Sequence, residues 1–220
     1  MNVFLIADGD GVIAYDAGTE SMTSGVLEAA DRLGGLRRLV LGHSHADHRG
    51  TAPALGVPVL CHPDEVAYAE RDDGGWPEYF DVEKIPVWYS RRLYPLLLRR
   101  WDGGRVRIDD TLIEGDTIGG FEVLHMPGHA PGQIALWRER DRVALVSDVV
   151  YMVDAVRLRA IDAPSVPSWV FNQDTAIARE SIRRLAEYEP ALVCPGHSEP
   201  IRGDPAEVRR LLEAAAARVA

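Results

Sequence analysis

The stretch Leu41–Gly50, LGHSHADHRG, constrains this chain more than any other part of the sequence. It follows the segment LRRLV, which predicts a short buried strand. Loops at the carboxyl ends of strands commonly carry the chemistry of α/β proteins. Within six residues the stretch places four side chains of types that bind metal ions, namely His43, His45, Asp47 and His48.

The spacing of these side chains also fits a metal site. In an extended segment, residues two apart point to the same side, so His43 and His45 are expected to share one direction. Asp47 and His48 then open the following turn or helix and can face a neighbouring position. Neutral imidazole and carboxylate are ligands for Zn²⁺ and other borderline divalent ions. A polar loop with solvated histidines is the alternative, and the density of ligands favours the metal site.

Three later residues strengthen this prediction because each follows an apolar strand. They are His129 in MPGHAPG, Asp148 in LVSD and His197 in CPGH. Any one of them alone could be an ordinary polar group at a strand end. Their succession instead predicts further ligands of the same site.

The order of apolar segments predicts an α/β fold. An apolar hairpin turns at residues 8–11, and the glycine pair at 34–35 ends the helix that follows it. Amphipathic helices are predicted at 174–190 and 205–219, on either side of the strand ALVCPGH. Each half of the chain ends in a strand followed by histidine. This order predicts two packed sheets with helices outside, in one domain that spans residues 1–220.

The composition limits the classes of partner. The chain of 220 residues has 24 basic and 34 acidic residues, and its net charge of −10 disfavours nucleic acid and anionic membranes. We therefore expect a small-molecule substrate. The sequence shows neither a signal peptide nor an apolar run long enough to span a bilayer, which predicts a cytoplasmic protein. Cys61 and Cys194 are too few for a disulfide framework and are predicted to be small buried hydrophobic residues.

The sequence HSHADH at residues 43–48, with three later residues, resembles the HxHxDH signature of the metallo-β-lactamase superfamily. The resemblance extends from the turn at residues 16–18 to Pro195-Gly196-His197. It implies an αββα sandwich of two mixed β-sheets flanked by helices, with a binuclear site at their edge. It also implies the ligands: His43, His45 and His129 for one ion, Asp47, His48 and His197 for the second, and Asp148 as the bridge.

The cofactors implied by this resemblance are two divalent metal ions, with Zn²⁺ first and Mn²⁺ or Fe²⁺ as alternatives. Two such ions roughly 3.5–4 Å apart can share a hydroxide at neutral pH, because each lowers the pKa of bound water. The metal-bridging hydroxide would attack a carbonyl or phosphoryl centre. Asp47 is a candidate catalytic residue that orients the nucleophile or carries a proton to the leaving group.

The chain departs from the family pattern in two places. Gly42 stands where the family often has threonine, so a hydrogen bond that supports the ligands is expected to be missing. The chain also begins almost inside its first hairpin, whereas family members often carry an extra strand ahead of it. A homodimer is one way to cover the sheet edge that this leaves.

Other residues reduce the number of reactions that such a site is expected to catalyse. Asp148 stands where the well-known zinc β-lactamases have cysteine, which argues against a β-lactamase. Tyr151 lies three residues later, a spacing that resembles acyl-homoserine lactonases of this superfamily, in which the tyrosine hydroxyl helps to stabilise the oxyanion. An ordinary core or lid tyrosine is the alternative. The Gly-Cys-Gly stretch usual in glyoxalase II-like thioesterases is not found after the aspartate.

Residues 72–105 are predicted to form a lid insertion beside the metals, because superfamily members tend to insert substrate-shaping loops there. A helical insertion with a small core of its own is the alternative. The segment RRLYPLLLRR within it is predicted as an apolar helix with solvated arginines. The insertion shows little clear periodicity, and its aromatic residues are Trp76, Tyr79, Phe80, Trp88, Tyr89, Tyr94 and Trp101.

The sequence thus predicts a metal-dependent hydrolase that cleaves an ester-type bond in a lactone, ester or thioester. A phosphodiesterase is the alternative within the hydrolases. Among oxidoreductases, the alternative is a persulfide dioxygenase, which resembles the same signature but uses one iron bound by two histidines and an aspartate. His62 and His125 match no ligand position, and we expect them in solvated or core roles, with His125 also a candidate to support a ligand.

Overall fold

Two mixed β-sheets form the centre of the computed structural model, which describes residues 1–75 and 80–218. In spatial order, the first sheet consists of β1 (Phe4–Asp8), β2 (Gly11–Tyr15), β3 (Leu36–Val40), β4 (Val59–Cys61) and β5 (Asp110–Thr111). The strands β1 and β2 form the predicted antiparallel hairpin, and the neighbours from β2 to β5 pair in parallel.

The second sheet is formed by the later part of the chain. Its strands are β6 (Thr117–Ile118), β7 (Phe121–His125), β8 (Ile134–Arg138), β9 (Val143–Ser147), β12 (Leu192–Pro195) and β13 (Ile201–Arg202). Their spatial order is β13-β12-β9-β8-β7-β6; β9 and β12 pair in parallel, and the other neighbours pair antiparallel. A separate antiparallel hairpin consists of β10 (Tyr151–Asp154) and β11 (Arg159–Ser165).

Helices accompany both sheets. They are α1 (Thr23–Asp31), α2 (Ala46–Arg49), α3 (Ala52–Leu55), α4 (Pro63–Ala69), α5 (Trp88–Trp101), α6 (Thr175–Glu187) and α7 (Pro205–Ala217). Asp174 and Asp204 start α6 and α7 by accepting hydrogen bonds from backbone N–H groups of the first turn. Within the ranges that the structure describes, no helix combines the length and the apolar character needed to cross a bilayer.

Three apolar clusters show how the strands divide their side chains between layers. Ile13 and Tyr15 of β2 pack with Leu136 of β8, between the two sheets. Ala14 of β2 instead packs on the outer face, in a cluster that includes residues of α1 and α3. Trp137 of β8 packs on the opposite outer face, in the cluster that contains α6 and α7. Because neighbouring residues of a strand point to opposite faces, these clusters form an αββα sandwich, and the predicted fold class is confirmed.

One element agrees with a sequence prediction and another was not predicted. The helix predicted at RRLYPLLLRR is part of α5, whose fourteen residues run from Trp88 to Trp101 with Pro95 inside the helix. The extension to Trp88 does not follow the usual pattern, because Trp88 is exposed while Ser90 is buried. The hairpin of β10 and β11 has no glycine turn, and most of its residues are half-buried or exposed. It therefore lacks the alternation by which a strand is recognised.

The described part of the predicted lid packs around a small cluster of its own. Phe80, Tyr94 and Phe171 are neighbours within this cluster. The hydroxyl groups of Ser90 and Tyr94 donate hydrogen bonds to backbone carbonyls in the loop between β10 and β11. These contacts fix α5 against that hairpin. Trp76 and Tyr79, which belong to the predicted lid segment, lie outside the described residues.

Candidate metal centre

The seven predicted ligands lie together at one edge of the sandwich, where strands of both sheets end. The segment after β3 and the short helix α2 carry four of them, and the segments after β7, β9 and β12 carry one each. Packing of the two sheets brings these strand ends to one place. The residues are His43, His45, Asp47, His48, His129, Asp148 and His197.

Three imidazoles form the first group, with ligand atoms within 4.8 Å of one another: His43, His45 and His129. Nδ1 of His129 lies 3.2 Å from the amide oxygen of Asn172, whose amide nitrogen donates to a backbone carbonyl. The oxygen of Asn172 therefore accepts, and His129 carries its proton on Nδ1. Its Nε2 keeps a lone pair and lies 3.0 Å from Nδ1 of His45. That distance is close to the separation of about 3.3 Å between two nitrogen ligands of a tetrahedral zinc ion.

Asp47, His48 and His197 form the second group. Nδ1 of His48 donates to the buried carboxylate of Asp16 at 2.9 Å, which leaves Nε2 of His48 as its ligand atom. Oδ2 of Asp47 lies 3.2 Å from Nε2 of His197 and 3.9 Å from Nε2 of His48. The three ligand atoms thus lie within 4.8 Å of one another.

Asp148 lies between the two groups. Its Oδ1 is 3.2 Å from Nε2 of His48, and its Oδ2 is 3.4 Å from Nε2 of His129 and 3.5 Å from Nε2 of His197. Nε2 of His43 is buried and makes no hydrogen bond to the described residues, and the approach of Oδ1 of Asp148 to Nε2 of His48 lacks good hydrogen-bond geometry. Buried polar atoms in folded proteins are normally satisfied. The donor set and these unsatisfied atoms therefore fit two metal ions that share Asp148.

The electrostatics of the first group suit metal binding. Burial lowers the pKa of His43, His45 and His129 below the usual value of a histidine. Burial acts in this direction because it disfavours the charged imidazolium. The three rings are therefore neutral at physiological pH, which is the form that binds a metal ion.

The second group and the bridging position carry the negative charge. Burial would raise the pKa values of Asp47 and Asp148, but the neighbouring His48 and His197 lower them well below the usual range. Burial would lower the pKa of His197, but the carboxylates of Asp148 and Asp47 raise it to about 9. Two ionised carboxylates thus lie among imidazoles, with Asp148 buried and Asp47 partly accessible. A bound dication would compensate their negative charge.

Gly42, directly before the signature, has no side chain and so contributes no side-chain hydrogen bond to the ligands. A Cβ at position 42 would lie 2.6 Å from Cβ of Ser147 and 2.8 Å from the hydroxyl of Tyr15, so the space beside it is already filled. The hydroxyl of Ser147, at the end of β9, lies 3.1 Å from Nδ1 of His43 and 3.2 Å from Nδ1 of His48. These two histidines are therefore contacted by a hydroxyl from another strand.

Three supporting residues were not identified as functional from the sequence. Asp16 and Asn172 orient His48 and His129 through the hydrogen bonds described above. The side-chain amide of Asn2 donates to backbone carbonyls on both sides of His197. Asp16 follows a strand and begins the Asp-Ala-Gly turn of the family resemblance, which is a usable signal. No local pattern marks the two asparagines, since their partners are distant along the chain.

A cavity of about 470 Å³ opens over the ligands. Phe80, Tyr94, Leu98 and Trp101 of the predicted lid line it, whereas Trp88 and Tyr89 do not line it and are exposed. Aliphatic and aromatic side chains from other elements complete much of the wall, among them Val153, Ala155, Leu158 and Phe171.

Tyr151 also lines this cavity, directly beside the bridging aspartate. Its hydroxyl donates a hydrogen bond of 2.7 Å to Oδ2 of Asp148. Burial, followed by the charge of Asp148, raises the pKa of Tyr151 well above its usual value. The phenol is therefore neutral at physiological pH and can act as a hydrogen-bond donor.

The two histidines outside the signature lie behind the loop that carries His129. The rings of His62 and His125 stack at 4.1 Å and are nearly parallel. Nε2 of His125 lies 2.9 Å from the carbonyl of Pro131 in that loop. These positions agree with a core role for His62 and with support of the ligand loop by His125. Both cysteines are free and buried, as the sequence predicts.

A sandwich of two mixed sheets with histidines and aspartates converging at its edge defines a class of metalloprotein. The sequence profile described as the metallo-β-lactamase superfamily matches residues 2–197. The chain belongs to this superfamily, and the resemblance drawn from its signature is confirmed.

The similar proteins of known sequence include several that are named as hydrolases. Probable metallo-hydrolase YflN of Bacillus subtilis (strain 168) is 28% identical over 221 residues, which cover 92% of this chain and 82% of YflN. Probable metallo-hydrolase YqjP of the same organism is 25% identical over 224 residues, which cover 90% of this chain and 67% of YqjP. Hydroxyacylglutathione hydrolase GloC of Haemophilus influenzae is 26% identical over 120 residues, which cover 53% of this chain and 50% of GloC.

Similar solved structures share the fold over nearly the whole chain. TTHA1623 in a di-iron-bound form is 25% identical with a TM-score of 0.63, covering 96% of this chain and 92% of TTHA1623. The metallo-β-lactamase family protein TTHA1429 from Thermus thermophilus is 22% identical with a TM-score of 0.67, covering 97% of this chain and 73% of TTHA1429. The second likeness is evidence of the fold alone.

Proposed function

We propose that this protein is a metal-dependent hydrolase that uses two divalent ions, Zn²⁺ first among them, to cleave an ester-type bond of a small molecule. The observation that carries the proposal is the position of Asp148. Its two carboxylate oxygens face ligand groups on both sides, at the base of an apolar cavity. This arrangement supports a binuclear site that is open to a substrate.

In this proposal His43, His45 and His129 hold one ion, and Asp47, His48 and His197 hold the other. When bound, a pair of divalent ions would supply a water-derived nucleophile at neutral pH and polarise the carbonyl group whose carbon is attacked. The names of YflN and YqjP agree with hydrolysis. The di-iron form of TTHA1623 agrees with a two-metal site and keeps iron among the metals to be tested.

The chain's own residues can relay a proton and donate the hydrogen bond that such a reaction needs. The carboxylate of Asp47 lies in the cavity and is partly accessible, so we assign it the orientation of the nucleophile or the transfer of a proton to the leaving group. The neutral hydroxyl of Tyr151 is assigned as a donor to the oxygen on which negative charge develops.

The walls of the cavity favour an ester, lactone or thioester with an apolar acyl or aryl part. They are mainly aromatic and aliphatic, and the charged residues among the described wall positions, apart from the ligands, are Asp154 and Arg159. Nε of Arg159 lies 3.6 Å from Oδ2 of Asp154, so the arginine is already paired with a carboxylate. A phosphodiester would be bound more strongly by an unpaired cationic side chain than by one that is already paired. This composition favours the ester-type reaction over the phosphodiesterase alternative.

A hydrolysis panel with defined metals tests the proposal. We expect the protein loaded with Zn²⁺, Mn²⁺ or Fe²⁺ to hydrolyse aryl esters, lactones or thioesters faster than bis-p-nitrophenyl phosphate, and to lose this activity on chelation. Metal analysis of the same preparation is expected to give two ions per chain. A preference for the phosphodiester, or one iron per chain with oxygen consumption on a persulfide, would overturn the assignment.

A further inference from the structure

Glu65 is a buried carboxylate outside the two ligand groups. Its side chain is almost completely shielded from solvent, with 1% exposure. Oε2 accepts hydrogen bonds from the backbone N–H of Ser44, at 2.8 Å, and from the Ser44 hydroxyl. Oε1 accepts a hydrogen bond from the backbone N–H of Gly132 at 2.9 Å. One carboxylate thus receives three hydrogen bonds from two distant segments.

Both segments carry ligands of the first group, and they come from different sheets. Ser44 lies between His43 and His45, directly after β3 of the first sheet. Gly132 lies three residues after His129, in the loop between β7 and β8 of the second sheet. The side chain of Glu65 therefore joins the two loops whose relative position sets the distances among three imidazoles.

The loop of His129 approaches Glu65 too closely for any side chain at position 132. A Cβ there would lie 2.8 Å from Cγ of Glu65 and 3.0 Å from its backbone nitrogen. Glu65 itself belongs to the first turn of α4, so its backbone is held by a helix. Burial of a carboxylate is costly unless hydrogen bonds compensate. Here the compensating donors belong to the ligand loops, which links the burial of Glu65 to their correct placement.

We propose that Glu65 is a positioning residue for the first metal ion, and that it holds the loop of His43 and His45 in register with the loop of His129. The inference rests on the proposed function, because it requires that the first group binds a metal ion. It also predicts an asymmetry between the two sites. In the described part of the chain, Glu65 has no hydrogen bond to Asp47, His48 or His197, so the second ion depends on it much less.

The Glu65→Gln variant tests this asymmetry. Glutamine has the same shape as glutamate, but its amide nitrogen donates hydrogen bonds and cannot accept them. The nitrogen would therefore face an N–H donor of Ser44 or of Gly132. We expect one of the two metal equivalents to bind about 10–100-fold more weakly, as is typical when a residue that supports a ligand is lost. Chelator competition with Zn²⁺ and Co²⁺ measures both equivalents, and the visible absorption of bound Co²⁺ is expected to change for the weakened one.

A matched control is Glu70→Gln, at the carboxyl end of the same helix. Glu70 accepts a long hydrogen bond from the N–H of Ile108 and lies away from both ligand loops. We expect this variant to bind both equivalents with wild-type affinity. A further backbone hydrogen bond, from Ile134 to Gly42, also joins the two loops. Glu65→Gln is therefore expected to fold, and thermal unfolding of the metal-free proteins checks this.

Ser44→Ala provides a second, milder test that does not depend on the folding of Glu65→Gln. The substitution removes the hydroxyl donor and keeps the backbone donor. We therefore expect the affinity for the same metal equivalent to fall several-fold. In the double variant with Glu65→Gln, Ser44→Ala is expected to lower the metal affinity by less than it does alone, because both substitutions remove the same Ser44–Glu65 hydrogen bond. Unchanged affinities in both variants, or an equal loss at both sites, would overturn the role of Glu65. A wild-type protein that binds no metal would instead overturn the proposed function.

Discussion

Replacement of His48 by alanine is expected to remove the second metal ion and to lower kcat/KM by more than about a hundredfold, beyond the usual loss of a supporting residue. Nε2 of His48 faces the other donors of the second group, and Nδ1 is fixed by Asp16. Without this imidazole, Asp47, His197 and the shared Asp148 remain, and a site with fewer ligands binds its ion more weakly. The metal content measured by elemental analysis is expected to fall from two ions to one per chain.

His62→Ala is the matched control for this variant. His62 is also buried, but it stacks on His125 behind the ligand loop and does not face the cavity ligands. We expect it to retain two ions and most of the activity. Near-normal turnover of His48→Ala, or retention of two ions, would show that the binuclear assignment is wrong.

Replacement of Tyr151 by phenylalanine is expected to lower kcat by about 10²–10³-fold, the usual cost of one donor to a developing oxyanion. The hydroxyl now donates to Oδ2 of Asp148, within reach of the place where the scissile carbonyl would lie. Because a hydrogen bond from this hydroxyl to a developing oxyanion would gain strength in the transition state, its loss is expected to lower kcat more than it changes KM. Steady-state kinetics on an aryl ester or lactone, together with metal content, measures the effect.

Tyr94→Phe is the control, since Tyr94 lines the same cavity but donates to the carbonyl of Ala155. We expect a small change in kcat from this variant. If Tyr151→Phe loses metal in proportion to activity, its hydroxyl positions Asp148 rather than stabilising the oxyanion. If its kcat equals that of the wild type, the hydroxyl has no part in the reaction.

Much of the fold is predictable because the two sheets are buried on both faces. Strands such as GVIAY and VALVS are apolar throughout, and each is flanked by turn residues, so their existence and order follow from the sequence. The helix at RRLYPLLLRR was predicted, but its extension to Trp88 is harder to predict, because Trp88 is exposed although apolar and Ser90 is buried although polar. The hairpin after Asp148 is harder still, since it depends on contacts with α5 rather than on its own pattern.

The candidate ligands could be predicted from the sequence because metal chemistry restricts their types and strand ends restrict their places. The residues that support them follow no such rule. Ser147 contacts two candidate ligands from another strand, and Glu65 links two loops through backbone donors. A serine or glutamate beside a strand is common in any sequence, so its role becomes visible only through its partners.

The sequence by itself determined the family, the sandwich of two sheets and the seven residues that offer ligand atoms. The tertiary structure decided which atoms face one another, that Asp148 lies between both groups, and that Phe80, Tyr94 and Trp101 line the cavity over them. The physical reason is the distance along the chain over which each property is set. Residue type and periodicity are local properties of the chain, whereas distances, burial and shared hydrogen bonds arise between segments that meet only when the two sheets pack.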